Sequence, residues 1–577
     1  MPAPAELLDT RFRAAAAAAF GPEFATTDPE IRSATKPEFG HFQSSLPLRL
    51  ARALSRPPRE IAAQLVESLQ IDDICRPPQI AGPGFLNLTL RPEFLADQVS
   101  AMATDPRLGV PAAEHPQRIV VDYSGPNVGK ELHVGHLRST IIGDALARLM
   151  EFLGHTVIRR NHLGDWGTTF GMLIEHFLDS GLTEFAVRDL TDFYQAARRK
   201  FDSDEEFADR ARRRVVRLQG GDADTLALWR VFIAESERHF QAVYDALDVT
   251  LTPQDNIGES AYNAGLPGLV EELDGLGLLQ LSDGALCLFP RGFTGRDGKP
   301  FPIIVRKSDG GYNYEATDLV AIRNRLLDLR ADRICYVIAS EQRLRLEMLF
   351  EAAREAGWLR PPATAEHISF GLVLGPDRKR LRTRSGDLPK LADLLTDAVA
   401  RAEAVIAQKA PDLDSAERAA VADAVGIGAI KYGDLSSDRV KDYLFDLDRL
   451  VSFDGDTAPY LQYAHARIRS IFRRGGVDPA DLRDARIAIE HPAEQALALR
   501  LSDFGPVLHA AAGSVELHRI CGYLFEVATA FTAFYEACPV LKAEPEIRAG
   551  RLRLCDVTAR VLAIGLSLLG IRAPARM

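Results

Sequence analysis

A multidomain chain is what the sequence predicts: a doubly wound (Rossmann-type) α/β core with an insertion, a small α/β domain before it and an all-α bundle after it. Three observations carry this. Residues 118–158 read as one strand–loop–helix–strand unit. From Leu388 onward the apolar periodicity is almost wholly helical. And 577 residues exceed what a single hydrophobic core serves, so several domains are expected.

Composition narrows the classes of function. Hydrophobic residues at 46% and charged residues at 26% are ordinary for a globular protein. A formal charge of −11 argues against polyanion binding by the whole surface, so nucleic acid would have to meet local basic patches. The cysteines at 75, 287, 335, 521, 538 and 555 form no CxxC or Cys/His cluster and read as small buried hydrophobes in a reducing compartment. The start, MPAPAELLDTRF, lacks the regions of a secretory signal, and no apolar run approaches ~18 residues. No membrane span is expected, and the chain is expected to be soluble and cytoplasmic.

Residues 1–108 read as the small α/β domain, with helices at 6–20, 47–54 and 59–69. The strictly alternating 85–90 is expected to be a half-buried strand. The core is assigned to 117–390. Its first strand, 118–123, is apolar and β-rich, as buried parallel strands are. Ser124-Gly125-Pro126-Asn127 breaks it, and 133–152 sets Leu137, Ile141, Ala145, Leu149 and Phe152 on one helical face. Gly154 stops that helix before the next strand at 156–158. The crossover should be right-handed, with ligand bound beyond the strand's carboxyl end. A connective insertion is placed at about 175–300: helical to about 249, with an arginine- and acid-dense stretch at 198–217 that reads as a solvated face, then β-rich. Asp309-Gly310-Gly311 predicts a hairpin pairing 303–306 with 312–314. A helix at 323–329 and strands at 333–338 and 367–374 complete the core. The helical remainder, 391–577, contains TAPYLQYAHARIRSIFRR and ends in an apolar helix at 557–571.

Two loops carry chemistry. His133 and His136 are three apart and project from one side of the first helical turn, with Gly135 between them admitting a flat ring. Free amides and the positive helix end favour a phosphate there, and Lys130 adds a charge just upstream. The spacing alone leaves open that the histidines only cap the helix. The second loop, PDRKRLRTRSGD, is glycine-led, lies at a strand's carboxyl end and has five basic residues among the seven from 378 to 384. A third feature is Tyr314 and Asp318, four apart at a helix start, an aromatic face beside a carboxylate. Helix-end charge compensation is the other explanation of Asp318.

HVGH at 133–136 resembles the signature of class I aminoacyl-tRNA synthetases. The wider YSGPNVGKELHVGHLRST and NHLGDWGTTFGMLI are similar to arginyl-tRNA synthetases in particular, with further matches from KPEFGHFQSSLPLRLA to LLGIRAPARM. The resemblance implies an ATP-dependent ligase that joins L-arginine to tRNA(Arg) through an arginyl-adenylate, probing the outer corner of the tRNA with its N-terminal domain and the anticodon with its C-terminal bundle. It implies ATP as substrate, Mg²⁺ accompanying it without an all-protein cage, no metal held by side chains alone, and a monomer.

By the same resemblance, Lys130, His133, His136 and Arg382 are catalytic. His133, Gly135, His136, Arg380 and Arg384 bind ATP. Asp122, Gly125, Asn127, His136, Tyr314, Asp318 and Gln342 bind arginine. Tyr460, Tyr463 and Tyr535 meet tRNA, where stacking on splayed bases is the usual mode. Arg380–Arg384, RLRTR, is similar to the KMSKS loop, with Thr383 where the second lysine would stand and Lys130 expected to replace it. A second departure is Arg345-Leu346, where the family usually has histidine and phenylalanine.

Overall fold

The structure, a computed structural model, describes residues 2–181, 190–295, 298–381 and 388–577. The three helices expected in the first hundred residues form, at Pro4–Phe20, Leu46–Leu54 and Pro58–Ser68, beside an antiparallel sheet ordered Arg32–Ser33, Phe42–Ser44, Phe85–Leu88, Gln79–Ala81, of which the sequence indicated only the third strand. The strand Phe85–Leu88 is more enclosed than its alternation suggested. Leu86, Asn87 and Leu88 are all buried, and Asn87 tolerates this because its Oδ1 accepts from Gln43 Nε2 at 2.8 Å. Helix Pro92–Thr104 then packs on the C-terminal helices, where Arg560 Nη1 donates to the Ala103 carbonyl at 2.7 Å.

The core is a five-stranded, all-parallel sheet. In chain order its parts are β1 (Arg118–Asp122), α1 (Val134–Phe152), β2 (Thr156–Leu163), α2 (Ala223–Ala246), β3 (Asn256–Gly258), α3 (Tyr314–Arg323), β4 (Arg333–Tyr336), α4 (Arg343–Glu355) and β5 (Thr364–His367). The strands lie β5-β4-β1-β2-β3. The chain builds outward from β1 on one side with β2 and β3, and on the other with β4 and β5. The strand order therefore reverses beside β1, and the crevice at its carboxyl end is where such a sheet takes ligand. Strand β3 falls within the stretch expected as inserted.

Three further local expectations differ from the structure. Helix α1 is not one-faced: Arg138, Ser139, Thr140, Asp144 and Ala147 are buried along with its apolar stripe, because C-terminal helices cover the side that faces away from the sheet. The strand expected at 367–374 is split. Thr364–His367 is β5, whereas Val373–Leu374 leaves the sheet and pairs with Tyr443–Leu444. The hairpin is replaced by pairing of Ile303–Arg306 with Ala285–Leu288. Tyr314 opens α3, and only an isolated bridge joins Arg306 to Tyr312.

The C-terminal third is helical, including α5 (Ser415–Leu435), α6 (Ala458–Gly475), α7 (His518–Ala537) and α8 (Pro545–Leu568). A buried ion pair ties it to the core. Arg138 of α1 reaches Asp434 of α5 with Nε 3.0 Å from Oδ1, and its Nη1 donates to the Lys441 carbonyl at 2.9 Å. No helix among the described residues is long and apolar enough to cross a membrane.

Candidate active site

The loop after β1 is shaped by backbone strain and a buried polar network. Ser124 and Gly125 both take positive φ, 71° and 57°. The Ser124 amide donates to Ser139 Oγ at 2.9 Å, and Ser139 Oγ donates to the Val337 carbonyl just beyond β4 at 2.6 Å. The Gly125 amide donates to Asn161 Oδ1 at 2.9 Å, and Asn161 Nδ2 donates onward to Tyr244 and Asn256. The carboxyl ends of β1, β2 and β4 are thus tied to one loop. Val128 extends this by donating to the Gly164 carbonyl at 3.0 Å.

At the start of α1 the two histidines do cap the helix. The Gly135 amide donates to His133 Nδ1 at 3.0 Å, and the His133 amide donates to His136 Nδ1 at 3.1 Å. With Nδ1 accepting, the proton of each neutral ring sits on Nε2. The rings stack at 4.0 Å. A Cβ on residue 135 would meet the His133 ring at 2.8 Å, so the flat group that glycine admits is the neighbouring imidazole. Burial, then the stacked His133, lowers the His136 pKa to about 3. His133 is also lowered, by burial and then by Lys130 and Arg380. Lys130 Nζ lies 4.2 Å from the centre of the Tyr194 ring. The chain returns from the basic loop beside this turn, with the Val134 amide donating to the Pro389 carbonyl and Leu391 to Leu132. Arg380 and Gly135 line one small cleft. Arg382, Thr383 and Arg384 lie outside the described residues.

A cavity of about 290 Å³ opens at the carboxyl ends of β1 and β4 and gathers Asp122, Gly125, Asn127, Asp318 and Gln342. Neither imidazole lines it. Both carboxylates expected there already face a guanidinium of the chain. Asp122 Oδ2 is 2.8 Å from Arg325 Nη2 with both side chains almost fully buried, and Arg325 lies over the Tyr336 ring at 4.9 Å. Asp318 accepts from Arg345 Nε at 2.9 Å and from Arg345 Nη2, both at Oδ2. The Arg345 guanidinium lies 4.7 Å from the centre of the Tyr314 ring. Tyr314 and Asp318 thus share a face, as their spacing predicts.

The sequence reading missed Glu259. It lines the same cavity, and no hydrogen bond or ion pair among the described residues reaches its carboxylate. Burial, then Asp318 and Asp165, pushes its pKa up to about 7. Asp165, in the LGDWG string, positions it by accepting from the Ser260 amide at 2.8 Å. Only the three-dimensional path of the chain after β3 brings Glu259 here.

A second region lies on the helical third. Tyr463 and Tyr535 line a groove of about 550 Å³ with Lys409, Arg467, Arg473 and Arg474, and the Arg467 guanidinium lies 4.6 Å from the centre of the Tyr535 ring. Tyr460 is not part of that lining; its ring packs against Phe525 at 5.5 Å.

Comparison with known proteins bears on both regions. Residues 98–447 match the profile described as tRNA synthetases class I (R), catalytic domain. Residues 461–577 match the DALR anticodon binding domain, and 6–90 the arginyl tRNA synthetase N terminal domain. Among curated relatives, the arginine–tRNA ligase of Thermobifida fusca is 55% identical over the whole of both chains. That of Frankia casuarinae is 50% identical over 96% of each. Among solved structures, the arginyl-tRNA synthetase of Plasmodium falciparum superposes with a TM-score of 0.85 at 26% identity over the whole of both chains.

Proposed function

The chain belongs to the arginyl-tRNA synthetases of class I, and on that premise we propose how its residues divide the work of attaching L-arginine to tRNA with ATP. In the first step a carboxylate oxygen of arginine attacks the α-phosphorus of ATP in line, and the bond to pyrophosphate breaks. In the second, the 2′-hydroxyl of the terminal adenosine of tRNA attacks the carbonyl carbon and AMP leaves.

The observation that carries the site assignment is the seat at Asp318 and Tyr314. A carboxylate and an aromatic face there already accommodate a guanidinium, that of Arg345. Asp318, Tyr314 and Glu259 take the substrate's guanidinium. Asp122, Gly125 and Asn127, at the end of β1, lie towards its α-ammonium, and Gln342 closes the wall. Its carboxylate then points to the start of α1. There the Nε2–H donors of His133 and His136, Gly135, Lys130 and Arg380 meet the phosphates, with Arg382 and Arg384 from the second loop. The work of these groups is positioning and charge stabilisation. Mg²⁺ would accompany ATP and offset the charge of its phosphates; of the carboxylates near the HVGH turn, Glu131 is already paired with Lys390 at 3.0 Å, and Glu341 lines the same small cleft as Gly135 and Arg380.

We further propose three working units, 1–108, 117–390 and 391–577, with the connective stretch at about 175–300. The first touches the outer corner of tRNA, and the last reads the anticodon at the groove of Tyr463 and Tyr535, with Tyr460 supporting it. The enzyme works as a cytoplasmic monomer. Pyrophosphate exchange over the common amino acids, with and without tRNA, tests the substrate assignment. Arginine alone should support exchange, and exchange with another amino acid and not arginine would overturn it.

A further inference from the structure

Arg345 stands where a substrate would. Its guanidinium donates twice to Oδ2 of Asp318 and lies over the Tyr314 ring, the carboxylate and aromatic face that a substrate guanidinium would use. Two features make this contact displaceable. The side chain is 35% exposed, unlike the enclosed Arg325 at 2%. It also lines both the main cavity and a second one of about 240 Å³, which Glu315 and Glu341 line as well. Glu315 Oε2 is buried there with no hydrogen-bond partner, an arrangement that is costly unless a donor reaches it in some state of the protein.

Building on the function proposed above, we propose that Arg345 is an internal competitor for the substrate's side chain. It holds the seat at Asp318 and Tyr314 in the empty enzyme and moves towards Glu315 when arginine enters. Asp318 then exchanges one guanidinium for another and is left unpaired in neither state. Ligands that need the seat find it open in only a fraction of molecules, and their apparent affinity is reduced by that fraction.

The fraction is common to every ligand that must displace Arg345, and this gives the test. The KM for arginine and the inhibition constant of citrulline, a neutral near-isostere, are measured in aminoacylation for wild type, Arg345→Met, Arg345→Lys and Glu315→Gln. Arg345→Met should lower both constants by the same factor, on the order of 3- to 30-fold. Arg345→Lys, which keeps the charge but loses the fork, should lower both by less. Glu315→Gln should raise both. If arginine tightens while citrulline does not, Arg345 is a resident counter-ion and the displacement idea is wrong. Unchanged or weakened binding in Arg345→Met also overturns it. Thermal melting checks that each variant folds, and the lysine and Glu315 variants carry the test if the methionine variant does not. A wild type that charges no arginine would instead remove the assigned function.

Discussion

Glu259 is a carboxylate of the main cavity that no guanidinium among the described residues pairs, and with its pKa pushed up to about 7 it changes charge near neutral pH. Above pH 7 it is ionised and attracts a guanidinium. Below pH 7 a proton must leave for each arginine bound. Arginine affinity should therefore be flat above pH 7 and fall towards tenfold per pH unit below it. Calorimetric titration between pH 5.5 and 8.5 reads this, and Glu259→Gln should bind more weakly at pH 8 with the slope abolished. A slope that survives in the variant would assign it to another group. The same shift acts on the empty enzyme. Between the ordinary glutamate value of 4.5 and about 7 the native state holds the extra proton, so stability falls as pH rises through that window. At this scale the sequence was legible where chemistry is local. Tyr314 and Asp318 sit on one turn, and His133, Gly135 and His136 on another. Glu259 and the two resident arginines were not legible as a site, because distant segments bring them together.

Helix α1 is the element that links chemistry to the rest of the chain. Its first turn is the HVGH cap, and its next turn carries Arg138 into a buried pair with Asp434 of α5. Burial raises the Asp434 pKa, and Arg138 opposes that. Removing the guanidinium strands a buried carboxylate. Arg138→Met should therefore cost about 3–5 kcal/mol in urea unfolding, and Arg138→Met with Asp434→Leu should recover most of it. A loss below about 1 kcal/mol in the single variant would mean that the pair adds nothing to holding α1 on α5. The helix itself was legible from its period. The burial of its polar positions Arg138, Ser139, Thr140 and Asp144 was not, because covering by C-terminal helices is a tertiary fact that one apolar stripe does not report. The same holds for Val373–Leu374, apolar enough for the sheet yet paired with Tyr443–Leu444. β-propensity does not name a partner.

Across the whole molecule, a net charge of −11 coexists with a groove lined by Lys409, Arg467, Arg473 and Arg474 around Tyr463 and Tyr535. Single-stranded RNA is held by this combination of cations and rings. Tyr463→Ala and Tyr535→Ala should each lose about 1–3 kcal/mol of affinity for full-length tRNA and almost none for an acceptor minihelix. Tyr460→Ala, packed on Phe525, should act mainly through stability. Equal losses on both RNAs would return the two tyrosines to a packing role. The order of modules was legible in composition and period, since a parallel sheet and a helical bundle write different patterns. Which tyrosines share a groove was not, because helical spacing fixes the face of α6 and not what lies opposite. The central claim is that the cavity at the end of β1 selects a guanidinium through Asp318. The competition of arginine with citrulline in aminoacylation, compared between wild type and Asp318→Asn, tests it most directly. A site that pairs a buried polar group can reject an analogue lacking it by ~10⁴, and Asp318→Asn should shrink that ratio by orders of magnitude with a steep rise in the arginine KM. A ratio unchanged by the substitution would contradict the account.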